Sequence, residues 1–156
     1  GRGKTNTLFG GGSGWNARDA AAPNVMNSVF AEFNKGLLLD NDGLYHWTNT
    51  TVRASALNNV WDVTTASANA NDFVFTTASF SNSVQAALLG AIGYTNGILN
   101  PRPQIGSPLL VDVLPGAPVP TSYRGAFGPD DTWADGTRSD DVRLLDGVAE
   151  GVPRAA

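Results

Sequence analysis

The sequence predicts an all-β chain built from short stacked coils, a β-solenoid, on three observations. Strand-length runs rich in β-formers recur at intervals in the twenties. The runs at 24–33, 51–61 and 72–80 are each followed or preceded by Asn, Asp or Gly turns. The paired runs Asn27-Ser28-Val29-Phe30-Ala31-Glu32-Phe33 and Ala54-Ser55-Ala56-Leu57-Asn58-Asn59-Val60 both set small polar residues beside apolar ones, as at the corner of a coil. One coil cannot bury its inward side chains alone; stacked coils can, with like residues lying over like residues. A β-sandwich, whose strands also recur at short intervals, accounts for the spacing nearly as well.

The elements follow in order. Residues 1–23 form a Gly/Asn-rich entry segment, with Leu8, Phe9 and Trp15 as its large apolar groups. Gly10 to Gly14 reads as a loop, closed by Pro23. Residues 24–113 carry the coils. Within them Val84, Leu88, Leu89 and Ile92 fall at helical spacing, Ser81 or Ser83 can cap, and Gly90 or Gly93 can terminate. A short helix is therefore expected near 81–91. Six prolines between 94 and 122 forbid a long helix or a central strand. They leave an extended strap with one short strand, Leu109–Val113. Residues 114–137 form an aromatic tail, and 138–156 an acidic, partly mobile extension.

The composition limits function. At 156 residues the chain can bury one core, and only 15% of its residues are charged, below the usual quarter. A net charge of −4 argues against recognition of nucleic acid, which needs a basic face. The absence of cysteine excludes disulfides, thiolate metal sites and Cys nucleophiles. No apolar run approaches the ~20 residues of a membrane-spanning helix. The chain opens at Gly1-Arg2-Gly3-Lys4, which reads as an internal start with further chain expected upstream.

Two motifs carry a resemblance. Asn100-Pro101-Arg102-Pro103-Gln104-Ile105-Gly106-Ser107-Pro108-Leu109 resembles the stretch that closes many right-handed parallel β-helix proteins. Tyr123-Arg124-Gly125-Ala126-Phe127-Gly128, with Trp133, is similar to a tail found after that stretch in exported bacterial surface proteins. The likeness spans roughly residues 24 to 137. It departs from the family at Gly136-Thr137-Arg138, where a second tryptophan is usual. It implies the terminal coils of a right-handed parallel β-helix, outside the cell or in the periplasm, with Tyr123, Arg124, Phe127 and Trp133 as docking anchors of the tail. It implies little about activity.

Candidate chemistry is sparse. Arg53, Asp62 and Asp40 could form a lyase-like cluster, though Arg53 also fits an outward strand position and the aspartates fit turns. Asp40-Asn41-Asp42-Gly43 begins like a calcium loop but lacks the distal Glu, so an Asx turn explains it as well. No cofactor is expected; Asp130, Asp131 and Asp135 could gather around Ca²⁺ in the tail, though Asp130 also fits a turn cap after Pro129. A single histidine, His46, excludes a His-based zinc site within the chain. Tyr45, Trp47 and Trp61 could stack on sugar rings, or pack inside. Gly10–Gly14 lacks the Lys-Ser/Thr of a phosphate loop.

The expected role is a non-catalytic scaffold or adhesin whose coils stack on an upstream β-helix segment or on other protein chains. A glycan-binding or lyase-like protein, and an accessory subunit of a larger complex, are the alternatives.

Overall fold

The computed structural model describes residues 3–5, 12–19, 21–39, 45, 47, 54–67, 73–91, 100–117 and 119–131. These are mostly strands, paired in parallel, with little helix. In chain order they are β1 (Ser13–Ala17), β2 (Asn24–Met26), β3 (Val29–Leu39), β4 (Ser55–Leu57), β5 (Val60–Ser67), the one-turn helix α1 (Phe73–Thr76) and β6 (Ser83–Val84). One sheet has the order β1-β3-β5-β6, and a second pairs β2 with β4.

The register shows the repeat. Val29 lies beside Val60, and Val60 beside Ser83. Trp15 lies beside Leu37, and Asn24 beside Ser55. The strands of the larger sheet thus lie side by side in chain order, and β1, β2–β3, β4–β5 and β6 are taken as successive tiers. In two tiers the chain passes from one sheet to the other through a two-residue corner, Asn27-Ser28 and then Asn58-Asn59. Ser81-Asn82 occupies the matching place before β6. Asn27, Asn58 and Ser81 have φ of 50°, 55° and 54°. This left-handed conformation turns the chain sharply, and asparagine tolerates it better than most residues.

Strand alternation sorts the side chains. Phe30 and Trp61 point inward, stacked at 4.1 Å and 10°. Trp15 continues the stack, 6.1 Å from Phe30 with its ring nearly parallel. Around them lie Leu37, Leu39, Trp47, Ala56 and Val74, all buried. Aromatic pairs of this kind add roughly 0.5–1.5 kcal/mol beyond the area they bury. Val29 and Val60 point the other way, into a smaller cluster with Ala87, Leu89 and Leu109. A β-bulge interrupts β3, where Glu32 at φ 60° is skipped between the pairs Ala31–Asp62 and Phe33–Val63.

Four sequence expectations change. Trp15 and its neighbours form β1, so the entry segment contributes a strand rather than only a loop. Residues 72–80, expected as a strand, hold α1 and a 3-10 turn at Ala78–Phe80. Short apolar runs do not separate strand from helix by periodicity. The helix expected near 81–91 is absent: β6 occupies its start, Leu88 has φ 49°, and Val84 and Leu88 are exposed. A positive φ at a leucine is incompatible with a right-handed helix. Leu109–Val113, expected as a strand, begins with a 3-10 turn at Pro108–Leu110.

Candidate functional site

The densest polar arrangement among the described residues is a ladder along the corner. Asn59 is fully buried. Its Oδ1 accepts the Ser28 N–H of the tier before at 2.8 Å, and its Nδ2 donates to Val25 O at 3.2 Å. Asn82, in the tier after, repeats the role: its Oδ1 accepts the Asn59 N–H at 3.0 Å. Asn82 Nδ2 donates to the carbonyls of Ala56 and Val74 at 2.7 and 2.9 Å. Backbone bonds run alongside, Val60 N–H to Ser28 O and Ser83 N–H to Asn59 O. Each side chain satisfies groups that the sharp corner would otherwise leave buried and unpaired.

The outer side of this corner holds the strap. Ser107 is buried; its hydroxyl donates to Ala87 O at 2.6 Å and accepts the Leu109 N–H at 3.2 Å. Gly106, at φ 82°, makes the turn before it, and Pro108 supplies the fixed φ of the 3-10 turn. This is the physical content of the Gly-Ser-Pro motif. Asn58 Nδ2 donates to Asp112 O at 2.6 Å and to Asn27 Oδ1 at 2.8 Å. Asn27 in turn exchanges two bonds with the Leu114 backbone, 2.7 and 3.0 Å long.

The tail returns over the same corner. Arg124 is only 4% exposed. Its guanidinium donates to Asn58 Oδ1 at 3.2 Å and to Pro108 O, and its backbone N–H donates to Leu109 O at 2.8 Å. Burial pushes its pKa below the ordinary arginine value, and the charge of Asp112 opposes that shift. The Gly125 N–H reaches Asn27 O at 2.7 Å. Gly125 has φ 99°, and a Cβ there would stand 3.0 Å from Val29 Cγ1. Gly128 packs on Tyr123, leaving 2.7 Å between a Cβ and the ring. Asp131 Oδ2 closes the turn, accepting the Gly128 N–H at 2.5 Å and the Tyr123 hydroxyl at 3.4 Å. Tyr123 is held protonated to higher pH than usual, by burial first and by Asp131 second.

Of the expected anchors, Arg124 is buried, Tyr123 and Phe127 are half-buried, and Trp133 lies outside the described residues. Of the expected sugar-stacking residues, Trp47 and Trp61 are 3% and 0% exposed. They offer no face to a sugar, because the buried core claims their large apolar rings. Tyr45 is exposed. Of the expected calcium ligands, Asp130 is exposed, Asp131 accepts bonds from Gly128 and Tyr123, and Asp135 lies outside the described residues. No group of three or more potential metal ligands occurs among the described residues. Arg53 and Asp40 also lie outside them. Asp62 bonds to Lys4 Nζ and accepts the Ala87 N–H at 3.1 Å, which ties three segments together.

Sequence reasoning missed the ladder asparagines Asn27, Asn58, Asn59 and Asn82. Their signal is a polar pair followed by Val-aromatic or Ser-Val: Asn-Ser-Val-Phe, Asn-Asn-Val-Trp, Ser-Asn-Ser-Val. Comparisons with protein-family models, curated proteins and solved structures gave no match.

Proposed function

We propose that this chain is a non-catalytic scaffold, the terminal coils of a right-handed parallel β-helix on or outside a bacterial cell. It acts by stacking on further coils of the same kind or on a partner subunit. The observation that carries this reading is the parallel register, which repeats from β1 through β3 and β5 to β6. Crossovers between parallel strands of one sheet are right-handed in about 98% of cases.

The sheet order supplies the docking end. β1 is its outermost strand, so among the described residues its outer edge has no strand partner. Such an edge presents unpaired N–H and C=O groups and favours pairing with another chain. At the other end, among the described residues, this pattern stops. After β6 the next backbone pairing is antiparallel, Leu89 with Pro103. Pro101 and Pro103 carry no N–H to extend a ladder. The burial of Trp47 and Trp61 leaves a sugar-binding role without two of its three proposed stacking residues.

Electron microscopy of the native particle tests the proposal. The expected result is a strand from another coil or subunit paired in parallel with Ser13–Ala17. A β1 edge facing solvent, with ordered sugar held elsewhere on the chain, overturns it in favour of the carbohydrate-binding reading.

A further inference from the structure

We propose that Ser107–Gly125 is a clasp that locks three successive tiers in register, rather than a local cover for one of them. Its contacts are distributed so that no single tier can supply them. Ser107 bonds to Ala87, just past β6. Asp112 and Arg124 bond to Asn58, at the β4–β5 corner. Leu114 and Gly125 bond to Asn27, at the β2–β3 corner. Leu109, beneath them, packs with Val29, Val60 and Ala87, one residue from each of the same three tiers.

The geometry makes docking conditional. A tier displaced by one residue turns every side chain to the opposite face. Val29 and Val60 would then leave the floor of the clasp, and Asn27 and Asn58 would no longer meet Leu114 and Arg124. The cost of error is highest at Arg124, a buried cation held by two neutral acceptors, with its Nε unpartnered among the described residues. Hydrogen bonds to a charged group are worth more than neutral ones, and losing them leaves the charge buried. The clasp therefore closes on a correctly stacked corner and not on a misregistered one. This inference stands apart from the proposed scaffold role, since it concerns how the stack is held and not what it meets.

Amide hydrogen exchange on the intact chain tests it, comparing the natural sequence with Arg124→Gln and the milder Arg124→Lys. The reporting amides are those of Asn27, Asn58, Val60 and Ser83, which bond from each tier to its neighbour. The expected result is a common loss of protection at all four, about ten-fold or more in Arg124→Gln and smaller in Arg124→Lys. Trp15–Ala17, remote from the clasp, keeps its protection. Loss confined to residues 107–125 overturns the proposal, because the strap would then be a local cover. An equal loss at Trp15–Ala17 overturns it too, because Arg124 would then serve general stability. Asp130→Asn, at an exposed residue beyond Gly125, leaves the four amides unchanged.

Discussion

Replacing Asn59 with alanine should cost the fold about 3 kcal/mol. The side chain makes three hydrogen bonds, to the Ser28 N–H, to Val25 O and to Asn82 Oδ1. A neutral bond contributes about 1 kcal/mol, and a buried donor left unpaired costs about 1–3 kcal/mol. The Val25 and Asn82 oxygens tolerate the loss better than the Ser28 N–H does. Solvent cannot readily replace the missing partner, since Asn59 is completely buried. Against a typical domain stability of roughly 5–15 kcal/mol, this loss is large. Urea unfolding followed by circular dichroism reads it as a shift in midpoint at unchanged slope. Asn24→Ala is the internal control: its Oδ1 also accepts a bond across tiers, from Ser55 Oγ at 2.7 Å, but the pair is exposed. That change should cost less than about 1 kcal/mol. If Asn59→Ala costs no more than Asn24→Ala, buried ladder satisfaction is not what holds the corner.

Two further outcomes follow from close packing and from titration. Gly36→Ala should destabilise by about 3 kcal/mol in thermal unfolding, because its Cβ would press on the Ala66 carbonyl and stand 3.1 Å from Trp61. Gly14→Ala, whose nearest contacts are 3.3 Å, should cost about 1 kcal/mol or less. Tyr123 has a folded-state pKa above its ordinary value of 10.0, so the protonated phenol is favoured in the fold. Its contribution to stability is complete below pH 10.0 and is lost as pH rises through the folded value. Stability measured across that alkaline range should fall in the natural chain, and Tyr123→Phe should remove that step.

The strands of the second and third tiers were legible because Val-Phe and Val-Trp are strong β-formers after a polar pair. The third corner was not, because Val84, Leu88 and Leu89 happen to fall at helical spacing after it. The polar pair Ser81-Asn82 carried the true signal, and hydrophobic periodicity outweighed it. β1 was hidden by its glycines, yet Gly14 is there because a strand packs closely over it. A methyl group in place of its hydrogen would stand 3.3 Å from both the Phe33 ring and the Gly36 carbonyl oxygen. The tier spacing also varies, 31 residues from Val29 to Val60 but 23 from Val60 to Ser83, which blurs any fixed period.

The tail was legible as a docking segment, but its logic was not. The aromatic residues drew attention, whereas the most buried anchor is Arg124, and its partners Asn58 and Pro108 lie 66 and 16 residues away. No local pattern announces that pairing. The glycines of the motif are explained only by what they touch, Val29 beneath Gly125 and Tyr123 beneath Gly128.

The direction of the clasp has a mechanical consequence. Inter-strand hydrogen bonds run from tier to tier, along the stacking axis. A pull along that axis loads each tier junction in series, so the weakest junction sets the breaking force. The segment from Ser107 to Gly125 bridges two consecutive junctions outside the sheets, through Ala87, Asn58 and Asn27. It shares the load in parallel with them, as stitching does across a seam. Rupture at this end of the molecule must break the sheet bonds and the stitch together.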